Sequence, residues 1–358
     1  MASPYSRLPR NRFWRAGVAD NPPSSPDIYE KKFEILPDEK IMTAGSCFAQ
    51  HIATQMRSRG YSVLDEEPAP AGLSLDLAKS FGYNLYSARY ANIYYVRQLL
   101  QLLRESFGEY SPSEVVWTKG GKFYDSQRPS VEPDGLDSPD EVLFHRAHHL
   151  AAVRRLIEKL DVLVFTLGLT ETWLHKDGTV YPTAPGTVAG SFDPSVHYFK
   201  NMNASEVYND LCAVRRFIMS INPKVKFLLT VSPVPLTATA SGNHVLSATI
   251  YSKSVLRAAA GQMYAEFDNV DYFPSYELIA SHPSRGRFFE DNLRSVTSKG
   301  VESVMSIFFK QHTLSGEDEK GVNLAAERKQ AEAKKVESQK KRGASVICEE
   351  ELLEAFRK

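Results

Sequence analysis

Lys40-Ile41-Met42-Thr43-Ala44-Gly45-Ser46-Cys47-Phe48-Ala49 decides how the chain is read. Ile41 to Ala44 is a short apolar run of strand type, Gly45-Ser46 breaks it, and Phe48, Ile52 and Met56 then recur at helical spacing. The order is strand, tight turn, helix. The same alternation continues outward. Tyr61–Leu64 reads as a second strand, Ile93–Phe107 and Val142–Leu160 as helices, and Asp161–Leu167 as an apolar run of the kind buried on both faces of a parallel sheet. Ala204–Ile221 is helical, Lys226–Ser232 is a strand stopped by Pro233 and Pro235, Val245–Phe267 is helical, and Val270–Phe273 is a short last strand. Strands alternating with helices predict a doubly wound α/β sheet.

Three stretches depart from this rhythm. Residues 1–36 are rich in Pro, Ser, Arg and Asn and read as an irregular arm. The Gly- and Pro-containing insert at 108–140 predicts a small hairpin outside the main sheet, from Val115-Val116-Trp117, Gly120-Gly121 and Lys122-Phe123-Tyr124. Thr179–His197 reads as an irregular excursion. The α/β domain is expected over 37–312. Beyond it lies a tail, 313–358, whose Glu317–Arg342 stretch is a solvated helix or disordered, and whose Leu352, Leu353 and Phe356 offer an apolar stripe for docking on the body or on a second copy or protein partner.

Lys plus Arg and Asp plus Glu both number 43, so the chain has no overall basic field for nucleic acid or an anionic membrane. No apolar run approaches the ~20 residues of a membrane span, and the N-terminus lacks a signal-peptide core, which points to a cytoplasmic protein. Cys47, Cys212 and Cys348 are odd in number and far apart, so reduced thiols are expected rather than a disulfide framework or a Cys-built zinc site. His145 and His149 have i, i+4 spacing but no acid of the His-Glu-x-x-His kind between them, so no metal is expected. No cofactor is called for.

Ser46 is the residue most suited to chemistry. A Gly-Ser where a first strand meets a helix exposes a hydroxyl at the C-terminal edge of the sheet, beside the N–H groups of a helix start. A plain N-cap role explains the same residue, and local pattern leaves both readings open. Cys47, at the first turn, is a second nucleophile by type and equally a small buried side chain.

Ala44-Gly45-Ser46-Cys47-Phe48-Ala49 resembles the signature of the GSCFA family, a branch of the SGNH (GDSL-type) hydrolases. Phe165–Trp173, Thr230–Pro235, His244-Val245-Leu246, Tyr251–Arg257 and Tyr272–Glu277 are also similar to family blocks, in order, between about Ile41 and Phe309. The resemblance implies a flavodoxin-like three-layer α/β/α sandwich with Ser46 in the nucleophile's place. It implies an oxyanion hole of the Ser46 N–H, a Gly N–H and an Asn side chain. Gly82 in Phe81-Gly82-Tyr83-Asn84 is the Gly candidate, and Asn92 is a further polar one. The Gly-x-Asn-Asp block falls on Gly168-Leu169-Thr170-Glu171, with Thr170 for the amide donor and Glu171 for the acid. The Asp-x-x-His block falls on Asp291-Asn292-Leu293-Arg294, where a guanidinium that cannot accept a proton stands in for the imidazole.

Histidine is the natural substitute base. His244, in Ser241-Gly242-Asn243-His244, is preferred because it also lies in a family-like block, and His282, in Ser281-His282-Pro283, is the reserve. Either is equally a loop histidine satisfied by backbone or water. Glu171 or Asp291 would orient the imidazole. Arg89, Lys253 and Arg257 are candidates for an anionic or carbohydrate substrate, though the last two share a helical spacing that also suits a solvated face. Tyr90, Tyr94, Tyr95, Trp117, Trp173 and Tyr276 would suit a sugar-stacking wall or the core. The expectation is a serine esterase or acyltransferase acting on an O-acyl, above all O-acetyl, group of a carbohydrate. The alternative is a non-catalytic carbohydrate- or protein-binding module on a degenerate scaffold, which Arg294 favours.

Overall fold

A computed structural model describes residues 3–21, 26–312 and 348–357. The chain builds β1 (Ile41–Gly45), α1 (Cys47–Ser58), α2 (Leu75–Ser80), α3 (Val96–Ser106), β2 (Val116–Lys119), β3 (Lys122–Asp125) and α4 (Pro139–Lys159). There follow β4 (Val162–Leu167), β5 (Glu171–His175), β6 (Val180–Tyr181), β7 (His197–Asn201), α5 (Ala204–Ile221) and β8 (Lys226–Val231). The domain closes with α6 (Val245–Glu266), β9 (Val270–Tyr272), α7 (Ser275–Ala280) and α8 (Ser298–His312), and a 3-10 segment spans Glu349–Phe356.

The central sheet is parallel, in the order β1-β4-β8-β9. On the free side of β1 a single bridge joins Ile41 to Val63. The second strand expected at Tyr61–Leu64 is reduced to that bridge, because Val63 alone is in register with the sheet. Counting it, the strand order is the flavodoxin-like 2-1-3-4-5. Each strand sends alternate side chains to opposite faces. Leu163, Phe165 and Leu167 of β4 pack with α3, α4, α5 and α6, while Val162 and Val164 pack with α1, α7 and α8. Two apolar cores on one fully buried sheet make a three-layer α/β/α sandwich.

The long helices begin where their sequences supply caps. Ser138 accepts from the Glu141 N–H at 3.2 Å with Pro139 at the first helical position, and Asn203 and Glu206 form a reciprocal capping box at 3.0 and 2.9 Å. The insert contains the expected antiparallel hairpin, β2 with β3. It is tied to the helices by a buried ion network, in which Asp125 meets Arg128 at 2.8 Å and Arg146 at 2.8 and 3.0 Å, and Arg146 also meets Glu105 at 2.8 Å.

Thr179–His197 is more ordered than its sequence suggests. β5, β6 and β7 form a small antiparallel sheet in the order β6-β5-β7, whose Tyr181 packs on Trp117 of the hairpin at 5.0 Å. The strands are two to five residues long, too short to show a period of two.

The arm is irregular, with short 3-10 and π turns, and Tyr29 anchors it by bonding Asp271 at 2.8 Å and His312 at 3.0 Å. The tail stretch Glu317–Arg342 lies outside the described residues. Among the described residues, no helix is long and apolar enough to cross a membrane.

Candidate active site at the Ser46 elbow

β1 ends at Gly45, which takes φ +139° opposite Thr166 of β4. The backbones approach so closely there that a Cβ on Gly45 would lie 2.4 Å from the Thr166 carbonyl oxygen. Only glycine permits this turn, and it sets Ser46 at the C-terminal edge of the sheet as the residue before α1. Gly168, just past β4, gives the serine its space, since a Cβ there would lie 2.9 Å from Ser46 Cβ.

Ser46 is 3% exposed, and its Oγ has no hydrogen-bond partner among the described residues. It makes no side-chain cap of α1. A buried hydroxyl without a partner is costly to a fold. The Ser46 N–H donates to the Thr166 carbonyl at 3.2 Å, and its carbonyl accepts from Tyr86 Oη at 3.2 Å.

The chain that matches this elbow extends far beyond it. The GSCFA family model matches residues 40–308, which takes in the central sheet, both helical layers and the elbow. The chain belongs to the GSCFA family. No curated protein matches it.

In this GSCFA protein the other donors proposed for an oxyanion hole are distributed unevenly. The Gly82 N–H bonds the Lys79 carbonyl at 2.9 Å, and Thr170 Oγ1 bonds Asn201 Oδ1 at 2.7 Å. Both are committed to the fold in this state. Asn92 differs. Its Oδ1 accepts from Tyr86 Oη and from Gln50 Nε2 at 3.2 Å, which points Nδ2 at the carboxylate of Glu349. Tyr94 Oη reaches the same carboxylate at 2.8 Å, and Ser130 Oγ, from the insert, reaches it at 2.5 Å.

Arg294 lies on the loop before α8 and contacts Glu350 at 3.2 Å, Glu351 at 3.4 Å and Cys348 Sγ at 3.6 Å. Lys253 of α6 is 1% exposed and donates to the Gly168 carbonyl at 2.8 Å. Burial pulls its ammonium down to about 8, against the attraction of Glu350. Burial likewise lifts Glu350 to about 8. The neighbouring Cys348 raises the Cys47 thiol, and Cys47 in turn lowers that of Cys348, with Arg294 adding to the lowering. All three cysteines are free thiols.

The docking of the C-terminal segment differs from the apolar stripe expected of it. Leu352 is 47% and Phe356 65% exposed, whereas Cys348 and Glu349 are buried. Contact is made through acids and a thiol because the surface they meet offers donors.

The proposed bases lie elsewhere in this state. His244 is exposed and caps α6, its Nδ1 accepting from the Leu246 N–H at 3.2 Å. His282 is exposed and stacks on Trp14 at 5.4 Å. Glu171 accepts from Thr239 Oγ1 at 2.7 Å and the Ala240 N–H at 3.2 Å, so it holds the loop that leads to His244 and not the imidazole itself. Asp291 is exposed on the loop closed by the Phe289–Val296 bridge.

Arg89 is buried and bonds Phe81 O at 2.9 Å, Val131 O at 3.0 Å and Glu132 at 2.8 Å, which fastens the insert to the loop before α3. Arg257 pairs with Glu277 at 2.5 Å, and His145 and His149 pair with Glu132 and Glu67 at 3.5 and 2.6 Å. Tyr90, Tyr94, Tyr95 and Trp117 are core residues, and of these Tyr94 alone bonds Glu349 among the described contacts.

Ser130, Cys348, Glu349 and Glu350 were not marked as site residues by the sequence, and Tyr94 was named only for a sugar-stacking wall or the core. The available signal was Glu349-Glu350-Glu351, an acidic run that follows the basic residues Lys253 and Arg294 in the sequence.

Proposed function

We propose that this GSCFA protein is an SGNH-type acyl-transfer enzyme, a serine esterase or acyltransferase for the O-acyl, above all O-acetyl, groups of a carbohydrate. The observation that supports it best is Ser46 Oγ, buried and unpartnered among the described residues at the strand-to-helix elbow. Asn92 and Tyr94 lie close by and both donate to a single carboxylate.

In the proposed reaction Ser46 Oγ bonds to the ester carbonyl carbon and its proton passes to a histidine, His244 first and His282 in reserve. Negative charge on the carbonyl oxygen is met by the Asn92 amide, with Tyr94 as a second donor. The tetrahedral intermediate expels the sugar oxygen, which leaves with the histidine's proton. Water or another hydroxyl then takes the acyl group from Ser46. For His244 to act, the loop that Glu171 holds at Thr239 and Ala240 must bring the imidazole in from the surface.

A second reading, a carbohydrate- or protein-binding module without catalysis, is favoured by Arg294 at the histidine position and by the surface placement of His244. Hydrolysis of p-nitrophenyl acetate and of an acetylated-sugar panel separates the two. The enzyme reading expects wild-type turnover that is lost in Ser46→Ala and His244→Ala and retained in Cys47→Ala. Sugar binding without turnover in the wild type supports the module, and turnover surviving in Ser46→Ala rules out the serine mechanism.

A further inference from the structure

The donors that surround the C-terminal segment come from separate parts of the chain. Asn92 and Tyr94 lie before α3, Ser130 in the insert, Lys253 on α6 and Arg294 before α8. The first three converge on Glu349, Arg294 pairs with Glu350 at 3.2 Å, and Lys253, held on the Gly168 carbonyl, feels the field of Glu350. Among the described residues, the carboxylates that pair with Arg294 are Glu350 and Glu351, both from the segment.

Lysine and arginine carry donors and no acceptor. A neutral sugar in place of the segment would leave a buried ammonium and a half-buried guanidinium facing groups that cannot neutralise them. A ligand with its own carboxylate would not. Of the apolar stripe Leu352 and Phe356 are exposed and Leu353 alone is half-buried, so burial of apolar surface contributes little to where the segment sits.

We propose that this donor set is a recognition site for a carboxylate-bearing substrate, an O-acyl ester of an acidic sugar, and that Glu349 and Glu350 fill it as an internal surrogate. The ester part of this assignment rests on the acyl-transfer reading above, and the carboxylate part rests on the donors alone. The two glutamates divide the roles. Asn92 is joined to the Ser46 carbonyl through Tyr86, so the position of Glu349 is where the ester carbonyl would lie. The position of Glu350, between Arg294 and Lys253, takes the sugar carboxylate. The substrate enters when the segment leaves, and Cys348 leaves Cys47 with it.

That last contact supplies a readout independent of turnover. Alkylation of Cys47 by iodoacetamide is followed by mass spectrometry in the full-length protein at constant pH, with unfolding midpoints checking that each variant is folded. Glu349→Gln and Glu350→Gln keep the shape of the segment and remove its carboxyl groups. Together they are expected to raise the alkylation rate of Cys47 at least about tenfold, a loss of about 1.4 kcal/mol of docking. D-Glucuronate is expected to restore protection in this double variant, D-glucose is not, and adding Arg294→Gln is expected to abolish the protection by glucuronate.

Unchanged alkylation in the folded double variant would overturn the proposal, as would equal protection by glucose and glucuronate, or protection by neither. If glucuronate protects while no ester in the panel turns over, the carboxylate site stands and the acyl-transfer reading fails.

Discussion

Replacing Gly45 by alanine tests whether the elbow depends on close approach between two strands. At φ +139° an L side chain is strained by about 1–3 kcal/mol. The new Cβ would also meet Thr166 O at 2.4 Å, Thr166 Cβ at 2.7 Å and Thr166 N at 2.8 Å. These atoms belong to β4, which is bonded on both sides within the sheet and cannot withdraw without breaking its register. Overpacking against such a wall costs about 1–3 kcal/mol more. The sum is about 2–6 kcal/mol. Gly60, after α1, supplies the control, because its φ is +84° and a Cβ there would meet nothing within 4 Å. Gly60→Ala carries the backbone strain alone, about 1–2 kcal/mol. Urea unfolding of both variants, compared at equal m, reads the difference. If Gly45→Ala costs no more than Gly60→Ala, the approach of β1 to β4 does not constrain the elbow and the account of why Ser46 leaves the sheet there is wrong.

Ser46→Ala removes a buried hydroxyl without a partner among the described residues, so thermal unfolding should show stability unchanged or raised by up to about 1 kcal/mol, and a loss larger than that would mean the hydroxyl is bonded. Asp125→Asn leaves Arg128 and Arg146 short of their shared carboxylate in a buried setting, which should cost about 3–5 kcal/mol in denaturant unfolding. A cost below about 1 kcal/mol would show that the insert is held by other means. His312 is held neutral by burial, its pKa lowered from 6.5 to about 3. The unfolded chain therefore binds a proton that the folded protein refuses as pH falls from 6.5 toward 3, and stability drops by about 1.4 kcal/mol per unit in that window. His312→Gln should remove one proton from the slope of stability against pH there, and an unaltered slope would contradict the burial account.

Long, strongly periodic segments were legible because they obey one rule throughout. Ala204–Ile221 begins at a capping box written in the sequence, and Val162–Leu167 is apolar but for Thr166 because both faces of β4 are buried. Tyr61–Leu64 misled because its strand-like composition is answered by one bridge, and whether a neighbour is in register is a tertiary matter. The small sheet of β5, β6 and β7 was missed for the opposite reason, since its strands are too short to carry a period. At the elbow, the Gly45-Ser46 turn between strand and helix was legible because strand-end chemistry is local, whereas Gly168 entered only through a block similar to the family's. Asn92 entered only as a nearby polar candidate, and its orientation depends on Tyr86 and Gln50, which no spacing rule connects to it.

Arg294 and the C-terminal acids explain each other. Read alone, arginine at the end of Asp291-Asn292-Leu293-Arg294, a block that resembles Asp-x-x-His, looks like the loss of a base. In the folded chain that guanidinium, 13% exposed at its side chain, meets Glu350, Glu351 and the Cys348 sulfur, and it sits in the same electrostatic neighbourhood as Lys253 and Cys47. Two basic side chains held this far from water need an acceptor facing them. The chain supplies it from residues more than fifty positions further on in sequence. The substitution is therefore coupled to the segment: Arg294→His in an otherwise unchanged chain would leave Glu350 buried with weaker compensation, and the segment would dock less tightly even if the new imidazole reached Ser46. An increase in Cys47 alkylation in Arg294→His, with or without a gain in ester turnover, is the expected sign of that coupling, and a fully protected Cys47 would show that the two features are independent.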